Sequence, residues 1–197
     1  MTRLRTPESH THGPENAEHE LKKAYNCAIE VGVTHFWDRH SIAGVHSDEV
    51  FTIYKRGFNA LRSGDRLAAE RWARTAKHLA RAFWHEAKIA YLEPRSSELP
   101  YLEGALDEYS LREREDTTAD LLESCARHCP PGMSEMPPEM KLYLNRGRKH
   151  LEKLAEPAYK HELLRAERIK AAHEYGRVLE CVALAYEAEA KPIARAA

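Results

Sequence analysis

The chain has 197 residues, with 30 basic and 31 acidic side chains and a formal charge of −1 at pH 7. A chain of that length can bury a sizeable core in one domain or two small ones. An apolar fraction of 43%, with only nine glycines and ten prolines, excludes a collagenous or wholly disordered chain. The near-zero net charge argues against indiscriminate nucleic-acid binding but leaves room for a local basic face.

The apolar run at residues 181–186 is too short to cross a bilayer. The opening MTRLRTPESHTHG has basic residues but no apolar run behind them, so it is no signal peptide. These features predict a cytoplasmic protein with no membrane partner, and they make Cys27, Cys125, Cys129 and Cys181 thiols.

In chain order, residues 1–13 read as a disordered tail. Pro14 suits a first helical turn, with Glu15 and Glu18 at the positive end of the dipole, and a helix is predicted over 14–32. Residues 33–46 read as a short irregular connector. Ser47, Asp48 and Glu49 open a second helix carrying Phe51, Tyr54, Phe58 and Leu61 at spacings of three and four. Gly64 can end that helix with positive φ and Asp65 can cap the next, predicted over 66–92 and about 40 Å long. Pro94 stops it. Helices are expected over 99–111 and 118–128, the latter opened by a capping box from Thr117 to Asp120. The segment 130–138, rich in proline, is a linker between a helical domain at 14–129 and a C-terminal hairpin at 139–191 that packs on it as one domain. The hairpin consists of a helix at about 139–155 and a second long helix, opened by Pro157, at about 157–190. No segment alternates with period two. The predicted fold is all-α: six to seven helices in antiparallel hairpins, packed as a bundle.

Charge is segmented. Residues 55–92 hold nine basic and three acidic side chains, 93–123 hold three and ten, and 139–177 hold ten and six. Complementary neighbouring helices account for this, with the acidic segment 98–123 set against the basic helix before it.

The helix at 66–92 carries two stripes. Ala69, Trp72, Ala76, Leu79, Phe83 and Ala90 form an apolar face on which Glu86 also falls, so its carboxylate either points out or is buried with a partner. Arg71, Arg74, His78, Arg81, His85 and Lys88, spaced alternately three and four, form a cationic edge that would suit an anion or nucleic acid if it were free.

Two partial resemblances follow. Residues 53–76 resemble one tetratricopeptide-repeat hairpin: Gly57 falls at the small position of its first helix, Gly64-Asp65 at the turn, and Ala69 and Ala76 at the small positions of its second. The resemblance implies close antiparallel helices and a protein-interaction role. It covers 24 residues, and no second unit recurs at a period of about 34. Arg71 and His78 also resemble the Arg-x(4–6)-His motif of HEPN-type ribonucleases, which implies that they would act on an RNA phosphodiester. A fainter internal echo at an offset of 90 pairs Arg56-Gly57 with Arg146-Gly147.

His35, Asp38, His40 and His46 form the densest ligand cluster and suit a transition metal if their loop folds around one. No histidine follows a glutamate by three residues, so a di-iron carboxylate bundle is not expected. There is no glycine-rich phosphate loop, nucleophile elbow or zinc-protease motif. The sequence therefore reads as a non-catalytic helical interaction or regulatory module with no cofactor, working through a protein partner or self-association. The alternatives are an RNA-binding or ribonuclease protein using the basic edge, and a metal- or cofactor-binding bundle.

Overall fold

The computed structural model describes residues 13–37, 43–95, 108–156 and 161–190, with the side chains of 32–37 and 43–47 outside that set. Its helices are α1 (Ala17–Trp37), α2 (Ala43–Arg62), α3 (Arg66–Leu92), α4 (Glu108–Ala126), α5 (Pro138–Leu154) and α6 (Glu162–Ala190). Single 3₁₀ turns precede α1 at Pro14–Asn16 and follow α3 at Glu93–Arg95. Among the described residues there is no strand, and the fold is the expected all-α bundle.

The long pair α3 and α6 forms the spine. Its contacts run in opposite directions, Trp72 with Glu189, His78 with Glu174 and His85 with Glu167, so the two helices are antiparallel. α1 and α2 lie on α3, α5 lies on α6, and α4 crosses α6 and α5. One apolar cluster draws on all six helices, through Leu21, Ile53, Trp72, Leu122, Tyr143 and Tyr175 among others. Two smaller clusters, around Ile89 with Leu164 and around Leu111 with Ile169, extend it along α6.

The start of α3 follows from two residues. Gly64 sits at φ +86°, where a Cβ is strained, and Asp65 accepts a 2.9 Å hydrogen bond from the Ala68 N–H. Both ends of α3 match the expectation. Other boundaries differ. The connector expected at 33–46 is helical through Trp37 and again from Ala43, because nothing in VTHFW breaks a helix. Of the two helices expected over 99–111 and 118–128, residues 99–107 lie outside the described set, and the break expected between them is absent because α4 runs unbroken from Glu108 to Ala126. Thr117 is no N-cap there: it lies mid-helix, and its hydroxyl donates back to the Glu113 carbonyl at 2.7 Å. The last helix is described from Glu162 rather than 157, and residues 157–160 lie outside the described set.

The inward face of α2 also differs from the aromatic stripe. Val50, Ile53 and Gly57 are buried, whereas Phe58 is exposed and Phe51, Tyr54 and Leu61 sit at the rim. A Cβ on Gly57 would lie 3.2 Å from the Ala69 carbonyl oxygen and the Ala73 nitrogen, so the α2 and α3 backbones approach too closely for a larger residue. Gly147 plays a similar part on α5, meeting Leu122 and the Tyr175 Cβ. The two glycines nevertheless sit differently in their hairpins. Gly57 meets residues 12 and 16 positions on, and Gly147 meets one 28 positions on, because the second hairpin is longer.

Candidate functional site

Because α3 is the central helix, its cationic edge is not a free stripe. Arg74 pairs with Glu70 at 2.5 Å and reaches Glu20 of α1 at 4.0 Å, while Arg71 lies 3.3 Å from Glu70. His78 Nδ1 lies 2.6 Å from Glu174 and His85 Nδ1 lies 2.7 Å from Glu167, both across to α6. Lys88 stands 3.7 Å from Glu167 and 3.8 Å over the Trp84 ring. Arg81 is exposed and sits near the Cys27 thiol. Segment 98–123 is expected to cover this edge; among the described residues α1 and α6 do so, and residues 98–107 lie outside the described set. The described part of that segment, α4, pairs instead with the hairpin, through Arg165 with Glu108 and Glu115 and through Arg148 with Glu123.

The electrostatics follow from this burial. Burial raises the carboxyl of Glu167, but hydrogen bonds and charge from His85 and Lys170 outweigh it and hold its pKa at about 2. Burial likewise opposes ionisation of Glu20, and Lys77 with Arg74 overcomes it, again giving about 2. Burial lowers His78 against the opposing pull of Glu174, and it lowers His173 as well. These are mutually satisfied structural pairs. The sequence held a signal for them: His78 and His85 are seven apart, as are Glu167 and Glu174, which is the register of an antiparallel ladder.

Glu86, the carboxylate on the apolar stripe, is half-buried with partners on α5 and α6. Its Oε1 accepts from the Tyr175 hydroxyl at 2.8 Å and lies 3.0 Å from His150 Nε2. Nothing in the one-dimensional pattern joined Glu86 to residues 64 and 89 positions away.

Of the metal quartet, Asp38 and His40 lie outside the described residues. His35 falls in the last turn of α1 and His46 in the first turn of α2, with side chains outside the described set. Cys125 is buried with its thiol toward the Gly176 carbonyl, while Cys129 is exposed with its own toward the Met133 carbonyl. Among the described residues, no group of three or more His, Cys, Asp or Glu side chains is placed to hold a metal ion. No helix among them is long and apolar enough to cross a membrane.

A different surface stands out on α1 and α2. Tyr25 and Ile29, one turn apart on α1, are 45% and 42% exposed, and Phe58 on α2 is 44% exposed. Tyr54 joins them, its ring centroid 5.8 Å from Tyr25 and 6.4 Å from Phe58, stacked on the latter. The result is a continuous aromatic patch on one side of the bundle. No protein family, curated protein or solved structure matches the chain.

Proposed function

We propose that the protein is a non-catalytic helical interaction module that docks a protein partner on the aromatic patch of α1 and α2. The observation that carries this reading is the contact chain Tyr25–Tyr54–Phe58, flanked by Ile29 and left open to solvent. Single exposed apolar side chains are ordinary, but a contiguous aromatic group marks an interaction surface, and tyrosine and phenylalanine are enriched in such interfaces. The hydrogen-bonded α3–α6 spine supports the same reading, because its titratable groups serve packing rather than stand ready for a substrate. Arg71 and His78, the pair on which a ribonuclease would depend, face Glu70 and Glu174.

A photo-crosslinking residue in place of Phe58 tests the proposal. In cells it should give one discrete protein adduct, with another protein or with a second copy of this chain. The same residue in place of the exposed Glu113 on α4 should give none. Tyr25→Asp should remove the adduct and leave the helical circular dichroism unchanged. Absence of an adduct at position 58, or one indifferent to Tyr25→Asp, overturns the proposal.

A further inference from the structure

We propose that the cleft between α3, α5 and α6 binds a small organic anion, with its charged head at Arg168 and Lys149 and its apolar body over Phe83 and Ile89. The cleft has a volume of about 460 Å³, within the range of about 300–1,000 Å³ found for small-molecule sites. Its floor is apolar, formed by Phe83, Ala87, Ile89 and Ala90 of α3. Its wall is basic: Arg146, Lys149, Lys153 and Arg168 outnumber the two lining carboxylates, Glu86 and Glu93. A hydrocarbon floor under an excess of cations selects an anion that carries an organic body over a bare inorganic one.

The arrangement at the head is rigid. Arg168 is only 6% exposed. One guanidinium nitrogen donates to Glu93 at 3.1 Å and the other lies 3.4 Å from His150 Nδ1. His150 is fixed in turn by Glu86 on its Nε2 side and by stacking on Tyr175 at 6.0 Å between centroids. With Nε2–H directed at Glu86, Nδ1 is left to accept from Arg168. A buried guanidinium keeps a carboxylate partner because desolvating an unpaired charge is costly. Here that partner is Glu93, which stands 46% exposed on the 3₁₀ turn after α3. Glu93 thus occupies the place of the ligand's anionic group. A ligand can take that place with charge pairing conserved, as the Glu93 side chain turns out to solvent. Lys149 makes no ion pair among the described residues, and Lys153 pairs with the nearby Glu156 at 2.6 Å, so both can turn to an incoming anion.

Calorimetric titration of the full chain with phenyl phosphate and with phenylacetate tests the site, with benzyl alcohol as the neutral control. The two anions separate a phosphate head from a carboxylate head. At least one should bind in the millimolar range or tighter, and benzyl alcohol should not. Glu93→Gln removes the internal competitor. It should tighten binding about threefold or more, and the rise in Tm on adding the anion should exceed that of the wild type. Lys149→Glu with Lys153→Glu, at the cleft mouth, should weaken binding about tenfold without loss of helical signal. If neither anion binds the wild type, if benzyl alcohol binds as well as they do, or if the double lysine variant binds undiminished, the proposal is overturned. Should Glu93→Gln fail to fold, wild-type binding and the lysine variant still decide. None of these readouts involves the α1–α2 patch, so this site and the docking surface stand or fall separately.

Discussion

At Gly57 a single missing Cβ sets how closely α2 meets α3. With backbone atoms of Ala69 and Ala73 only 3.2 Å from the Cβ position, a larger side chain has no flexible neighbour to displace on that side. Gly57→Leu should therefore cost about 1–3 kcal/mol by overpacking. Gly64 makes a contrast, since nothing lies within 4 Å of its Cβ position and only its φ of +86° resists substitution. Gly64→Ala should cost about 1–2 kcal/mol through left-handed strain alone. Urea denaturation of the two variants checks both values, and an unchanged midpoint for Gly57→Leu would contradict the close α2–α3 approach. The sequence singled out both glycines, because a small residue before a turn reads as a hairpin. It did not show that the aromatic residues of α2 would be displaced outward by that same closeness.

Along the α3–α6 pair, histidine–glutamate contacts replace part of the apolar seam and give the spine a dependence on pH. The folded protein lowers the pKa of His78 and of His173 below the ordinary 6.5, mainly by burial. The fold therefore favours the neutral rings. Their contribution is complete above about pH 6.5 and is lost as the pH falls below it, because the unfolded chain then binds more protons. Glu20 and Glu167 fall from the ordinary 4.5 to about 2, so their contribution is complete above 4.5 and is lost between 4.5 and 2. Thermal unfolding should accordingly show Tm declining in two steps on acidification, the first beginning near pH 6.5 and the second below 4.5. His78→Gln should shrink the first step and leave the second. A Tm that rises from pH 7 to 5.5 would refute the burial account. The cationic spacing on α3 was legible from its three-and-four rhythm, yet its meaning was not. The opposing carboxylates lie about ninety positions away in the chain, and only the packing of α6 brings them there.

For the molecule as a whole, the decisive feature is one core fed by all six helices. Leu122 on α4 lies in the same cluster as Trp72 on α3, and that cluster also joins Leu21 of α1 to Tyr175 of α6, the first and last helices. Leu122→Ala should destabilise by about 2–5 kcal/mol. The loss should appear as one shifted transition, with tryptophan fluorescence and far-ultraviolet circular dichroism coincident. Separate transitions for the two signals would mean that the C-terminal hairpin melts independently.

The sequence by itself determined the helical class, the limits of α3 and the turn that precedes it. These depend on short-range physics: apolar period, a capping aspartate, a glycine free to adopt positive φ, and proline as a stop. It also marked Arg71, Arg74, His78, Arg81, His85 and Lys88 as sharing one edge. Only the tertiary structure decided that α3 would be enclosed, that α1 and α6 would neutralise most of that edge, and that Glu86, His150, Tyr175 and Arg168 would meet at one cleft. Those outcomes depend on which helix faces which. That choice is made by burying the whole set of apolar faces at once, and no local window of the chain contains it.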